Sequence, residues 1–196
     1  AGVGPDVETE ALYMTIEDII LDHDRRGIAA LRPHMTTDFC DQAADLVLDN
    51  PGTALIVTGF YILTAGAPET DGPPGAFAIG RALESLGWQV LYLSDRYTVP
   101  LLRHFATTED QVVDFPIADL ETSKRFASDL LAVLDPSLLI SIERCAPTKD
   151  GKYLNMRGLD ITPHTAKIDL LFEEHPHTVG IGDGGNEIGM GNLADF

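Results

Sequence analysis

The residues best suited to chemistry lie in Gly180-Ile181-Gly182-Asp183-Gly184-Gly185-Asn186-Glu187, near the end of the 196-residue chain. Six glycines fall within residues 180–192, and Asp183, Asn186, Glu187 and Asn192 stand among them. Oxygen-bearing side chains on a pliable backbone suit a hard cation such as Mg²⁺, Mn²⁺ or Ca²⁺. An ammonium group is the second option. The segment also matches Gly-x-Gly-x-x-Gly at Gly180, Gly182 and Gly185. That motif works by offering backbone N–H groups and a helix N-terminus to a pyrophosphate. Here Asp183 and Glu187 would repel the phosphates, and Gly189 and Gly191 weaken any following helix, so no nicotinamide cofactor is expected. A tight turn with solvated acids is the plainer alternative.

Further polar residues follow short apolar runs: Thr58-Gly59, Ser94-Asp95-Arg96, Glu143-Arg144 and Gly182-Asp183. In an open parallel sheet, ligands bind beyond the carboxyl ends of the strands, where a rigid scaffold holds such residues. Structural ion pairs among them are the competing reading. A second glycine-rich stretch runs from Ala65 to Gly75. It opens a helix whose free N–H groups suit a carboxylate or phosphate, but it has no Gly-Lys-Ser/Thr ending and is not a P-loop. His164 is a lone candidate acid or base. The loop with Arg157 and Asp160 is placed to fold over the site. Cys40 and Cys145 make neither a disulfide framework nor a metal cluster, which fits a reducing cytoplasm.

These residues need elements to carry them. Apolar runs at 54–58, 89–93, 111–115, 138–142 and 178–181 read as strands. Helices are expected at 9–22, 36–49, 74–86, 98–105, 118–134 and 163–174, the first amphipathic with Leu12, Ile16, Ile19 and Ile20 on one face. Short continuous apolar strands alternating with helices indicate βαβ units. The expected fold is α/β, an open, mostly parallel sheet with helices on both faces, Rossmann-like and three-layered. One domain over residues 1–196 is expected, C-terminally incomplete because the chain stops soon after its last strand.

The formal charge is −18, from 31 acidic and 13 basic residues, only four of them lysines. Such a surface repels nucleic acid and anionic lipid. No apolar run reaches the ~18–20 residues that a membrane helix needs. The expected partner is a small carboxylate or amino acid, and a homo-oligomer stays open.

Four segments together resemble the C-terminal domain of D-glutamate cyclase and its stand-alone relatives. They are Thr58-Gly59-Phe60 with Asp71-Gly72-Pro73-Pro74-Gly75; Ser94-Asp95; Ile142-Glu143-Arg144; and Asn155-Met156-Arg157-Gly158 with the loop from Gly180 to Gly191. The resemblance implies closure of D-glutamate to 5-oxo-D-proline with loss of water. The family's larger enzyme carries another N-terminal domain, and its domain continues past the glycine loop. On that reading Asp183 and Glu187 hold Mg²⁺ or Mn²⁺ against the γ-carboxylate, and Glu143 takes the ammonium proton. Arg96 or Arg144 grips the α-carboxylate, and Gly59, Gly75, Asp95, Arg157, Gly184, Gly185 and Asn186 complete the binding site. A Mg²⁺-dependent phosphate or nucleotide hydrolase and a non-catalytic metabolite-binding module are the alternatives.

Overall fold

The computed structural model describes residues 14–22 and 24–194. Chain order gives α1 (Ile16–Ile20), α2 (Phe39–Asp49), β1 (Thr53–Thr58), β2 (Tyr61–Ile62), β3 (Ala67–Pro68), α3 (Gly72–Ser85), β4 (Gln89–Ser94), α4 (Val99–Phe105), β5 (Val112–Asp114), α5 (Leu120–Leu134), β6 (Leu138–Ile142), α6 (Asp169–Glu174) and β7 (Thr178–Ile181). Five strands form one parallel sheet in the order β5-β4-β1-β6-β7. The antiparallel β2–β3 hairpin stands apart from it. The fold is the expected three-layer α/β architecture.

β1 shows why its run is apolar without alternation. Ala54 and Ile56 pack on one face with Ala76, Phe77 and Leu83 of α3 and Trp88. Leu55 and Val57 pack on the other with Phe115, Ala127 of α5, and Leu170 and Leu171 of α6. All four β1 side chains are fully buried. Burying a Leu, Ile or Val of this kind contributes about 1.5–3 kcal/mol. A central parallel strand covered on both faces therefore has no polar side to show.

The strand order reverses its direction of growth at β1. From β1 the chain builds outward through β4 to β5, then crosses back through α5 to lay β6 on the opposite side. The crevice between the carboxyl ends of β1 and β6 is thus a topological switch point, the usual ligand position in such sheets. The tip of β1, at Thr58 and Gly59, lies on one side of it, and Glu143, at the tip of β6, on the other.

Two helix expectations are corrected. Of the span 9–22, residues 9–13 lie outside the described residues, and α1 covers only Ile16–Ile20. Its apolar residues are more than half exposed, whereas Glu17 is buried at 4 %. The Glu17 carboxylate accepts the backbone N–H of Cys40 at 2.9 Å, in the first turn of α2, where a negative charge is favoured. The helix docks through its acid rather than through its apolar stripe. The expected helix at 163–174 splits into a single 3-10 turn, Thr162–His164, and α6. Between them the backbone of Ala166 is bound by side chains: its carbonyl accepts from Arg144 at 2.9 Å and its N–H donates to Asp95 at 3.4 Å. Those bonds replace the helical ones.

Candidate active site

A cavity of about 210 Å³ opens at the switch point. Phe60 and Tyr61 enter it from the tip of β1, Glu69 and Asp71 from the approach to α3, and Glu143 from the tip of β6. Asn186 and Glu187 come from the loop after β7, and Asn155, Met156, Arg157 and Leu159 come from the loop above. That upper loop is held by bridges pairing Pro147 with Tyr153 and Leu154 with Asp160. The Asn155 carboxamide oxygen accepts the N–H groups of Arg157 and Leu159 at 2.9 and 3.0 Å.

The glycine-rich loop is the seat of a carboxylate. Glu187 is 3 % exposed. Its Oε1 accepts the N–H of Gly184 at 2.7 Å and its Oε2 that of Asn186 at 3.0 Å. A Cβ at Gly182 would stand 2.7–2.9 Å from the Glu187 side chain, and one at Gly184 would stand 2.6 Å from its Oε1. The loop also folds back on its own strand, where a Cβ at Gly180 would meet the Ile188 carbonyl at 2.4 Å. These glycines let the chain close around Glu187. The loop leads into one 3-10 turn, Met190–Leu193, and not into the helix that a pyrophosphate cradle requires.

Glu143 faces this seat from β6 with a left-handed backbone, φ +51, a conformation uncommon outside glycine and costing of order 1–3 kcal/mol. Its N–H is tied to the Ile181 carbonyl at 3.0 Å, which holds the turn. Oxygens of Glu143, Asp183 and Glu187 lie within 4.8 Å of one another. Ligands around one divalent cation at about 2.0–2.6 Å need a spacing of this size, so the three residues fit such an ion. Burial pushes the Glu143 carboxyl up to about 7, and the charges of Asp183, Glu187, Asp71 and Glu69 push the same way.

A stability effect follows from that shift. An unfolded chain loses the Glu143 proton near 4.5, whereas the folded chain keeps it until about 7. Between those values the folded state binds more protons, so stability falls as pH rises through the window and levels off above it. For a half-buried group the loss is on the order of 1–2 kcal/mol after solvent screening. Metal-free protein is expected to melt a few degrees lower at pH 7.5 than at pH 5, with the fall reduced in Glu143→Gln. A Tm that rises over this range, or an equal fall in the variant, would contradict the placement of this carboxyl.

The other expected residues divide into two groups. Arg157 and Asn186 line the cavity, and Gly184 and Gly185 shape the loop beside it. Asp183 sits at its mouth, with 57 % of its side chain exposed. Arg144 and Asp95 lie below the floor, 2 % and 3 % exposed, and pair with each other at 2.7 Å. Arg144 also donates to the Gly59 carbonyl at 2.9 Å and to Ala166. With both terminal nitrogens committed and no path to solvent, it cannot clamp a substrate carboxylate. Gly59 belongs to the same floor: its φ is +109, and a Cβ there would stand 2.4 Å from Thr98 Oγ1. Arg96 turns away, stacks over the Tyr97 ring at 4.9 Å and donates to its hydroxyl. Gly75 lies within the first turn of α3. That helix start offers little to a phosphate, because Pro73 and Pro74 carry no N–H and Asp71 takes the N–H of Gly72 at 2.8 Å. His164 stacks on Tyr61 at 4.2 Å and bonds Tyr97 at 2.9 Å, outside the carboxylate cluster.

Sequence reasoning did not reach Arg26, and it gave no role to Glu69 or Tyr61, though both fall in segments it singled out. Glu69 and Tyr61 belong to the hairpin segment, whose two-residue strands leave no periodic signal. Arg26 belongs to a turn before α2 that nothing in its neighbours ties to the sheet.

The sequence profile described as D-glutamate cyclase-like, C-terminal, matches residues 16–196. The chain belongs to this family. It is also 33 % identical over 172 residues to human mitochondrial D-glutamate cyclase, an alignment covering 78 % of this chain and 28 % of that protein. The chain thus spans under a third of that relative's length. No helix among the described residues is long and apolar enough to cross a membrane.

Proposed function

We propose that this domain closes D-glutamate, or a closely related amino acid, to its five-membered lactam, 5-oxo-D-proline, with loss of water. The observation that carries this reading is the convergence of Glu143, Asp183 and Glu187 on one small cavity at the switch point, in a chain of this family. Glu69, Asp71, Glu143 and Glu187 line that cavity and Asp183 stands beside it, so it favours a cation, either a metal ion or the ammonium of the substrate. Asp183 and Glu187 would hold a divalent cation, Mg²⁺ or Mn²⁺, which would supply the electrophilic activation that a γ-carboxylate otherwise lacks.

The chain's own groups do the rest. Cyclisation forms an N–C bond and breaks a C–O bond; two protons leave the ammonium nitrogen and both end on the departing oxygen as water. Glu143 carries them, accepting at nitrogen and donating at oxygen, as a general base and then a general acid. Among the described residues no hydrogen bond occupies its carboxylate. Phe60, Tyr61 and Leu159 give the cavity apolar walls that exclude water and fold the flexible substrate, bringing amine and carboxyl into contact. That pre-organisation alone is worth several kcal/mol, up to about 7–11 in the best cases. Arg157 and Asn186, which line the cavity, would contact the substrate.

The test is incubation with D-glutamate and Mn²⁺ or Mg²⁺, following 5-oxoproline by NMR. The expected result is lactam formation that stops on chelation and is slower with L-glutamate, with a Tm that rises on adding the cation. Absence of lactam under all these conditions would overturn the reading.

A further inference from the structure

Among the described residues, Arg26 is the one lining the cavity that comes from before β1. Its position is built. The Asp24 carboxylate accepts the N–H groups of Arg26 at 2.8 Å, Gly27 at 3.1 Å and Ala29 at 2.8 Å, closing the turn that presents the guanidinium. Gly27 completes the turn at φ +87. The guanidinium reaches across to Asp183 Oδ1 through Nη1, and the same nitrogen touches Met156 Sδ at 3.3 Å. It therefore stands between the loop after β7 and the loop over the cavity. Among the described residues only Nη1 is engaged, which leaves the other edge of the fork free.

We infer that Arg26 selects the substrate by its α-carboxylate. This inference rests on the lactam reading above and gives that site its specificity. An α-amino acid carries an ammonium and a carboxylate on one carbon, and Asp183 and Arg26 present the complementary pair at one mouth. The internal ion pair is exposed on both sides, 43 % and 57 %, so it adds little to stability and opens at little cost. The amino acid exchanges into it: ammonium toward the acidic cluster, carboxylate onto the planar fork of Arg26, which matches a carboxylate through two parallel N–H donors. Arg144 is buried and Arg96 faces elsewhere, which leaves this role to a cavity-lining arginine. Arg26 alone of these is locked to a carboxylate-capped turn.

The discriminating probe is 4-aminobutanoate, which is glutamate without the α-carboxylate. It retains the amine and the carboxyl that close the ring. Calorimetry with Mn²⁺ present measures binding of D-glutamate and of 4-aminobutanoate to the wild-type chain, to Arg26→Met and to Arg26→Lys. Loss of a charge-assisted bidentate contact is expected to weaken D-glutamate about 100-fold in Arg26→Met. Binding of 4-aminobutanoate stays within about two-fold, which also shows that the variant is folded. Arg26→Lys falls between, because an ammonium keeps the charge and loses the fork. Equal weakening of both ligands, or no weakening of D-glutamate, overturns the role of Arg26. Wild-type protein that binds D-glutamate with this discrimination but yields no lactam overturns the lactam reading and leaves Arg26 standing. Lactam formation with discrimination unchanged in Arg26→Met does the reverse. Failure of the wild-type chain to bind D-glutamate overturns both.

Discussion

Replacing Glu187 by Gln is expected to lower kcat/KM for lactam formation by about 10²–10³-fold, the range seen when one preorganised electrostatic group is removed from a reacting centre. The carboxylate is buried and receives two backbone N–H groups, from Gly184 and Asn186, one on each oxygen. A carboxamide has the same shape but only one acceptor oxygen. Whichever way it turns, its NH₂ faces one of those two donors, and a part-buried N–H is left without a partner. That costs about 1–3 kcal/mol, so the variant should also melt several degrees lower. The loss of a formal negative charge removes one carboxylate from the cluster that Glu143 and Asp183 share. The two effects separate by experiment: turnover and cation-dependent stabilisation report the charge, and the melting point in chelator reports the orphaned N–H. Glu187→Asp keeps the charge but shortens the reach across the space that Gly182 and Gly184 leave open, and should recover part of the cation response only. Full turnover by Glu187→Gln would remove Glu187 from the chemistry and reduce it to a loop staple.

Much of this was legible in the sequence, for reasons that particular residues make plain. Ala54-Leu55-Ile56-Val57 has to be a central parallel strand because no face of it tolerates water, and the same holds for Leu138-Leu139-Ile140. Fixing the strands fixed their carboxyl ends, and with them Glu143 and the loop from Gly180. The identity of the loop's guest was not legible. Six glycines near acids are compatible with a cation site, a turn or a cradle, and only the approach of Gly182 and Gly184 to the Glu187 side chain shows that the glycines make room for a carboxylate. Arg96 and Arg144 looked equivalent, each beside an acid at a strand tip. Their fates differ through long-range geometry: Arg144 is enclosed by Asp95, Gly59 and Ala166, whereas Arg96 lies on Tyr97. Local pattern also failed at α1, since a stripe of isoleucines predicts burial only if something covers it. The described residues bury Glu17 against α2 instead. Arg26 meets Asp183 across 157 positions, a separation at which sequence spacing carries no information.

The buried pair under the site sets the second large effect. Arg144→Met is expected to cost about 3–5 kcal/mol, because Asp95 would remain as an uncompensated charge in the protein interior. Against a total stability of about 5–15 kcal/mol for a domain, that brings the chain close to unfolding at 37 °C. Asp95 accepts from the N–H groups of Tyr97 at 3.2 Å and Ala166 at 3.4 Å, and Arg144 donates to the Gly59 carbonyl. One ion pair thus ties together the tips of β1, β4 and β6 and the segment before α6. Joint replacement, Asp95→Leu with Arg144→Met, removes both charges and should recover part of the loss, but not all of it, since those backbone groups lose their partners. Urea denaturation of the two single variants and the double variant measures the coupling directly. A loss under 1 kcal/mol in Arg144→Met would mean that water or a neighbouring group reaches Asp95, and the floor would no longer be a rigid support for Glu143. The expected order, single variants least stable and the double variant intermediate, instead assigns Arg144 to the architecture that holds Glu143 at the switch point. The carboxylates above it are then left to meet the substrate.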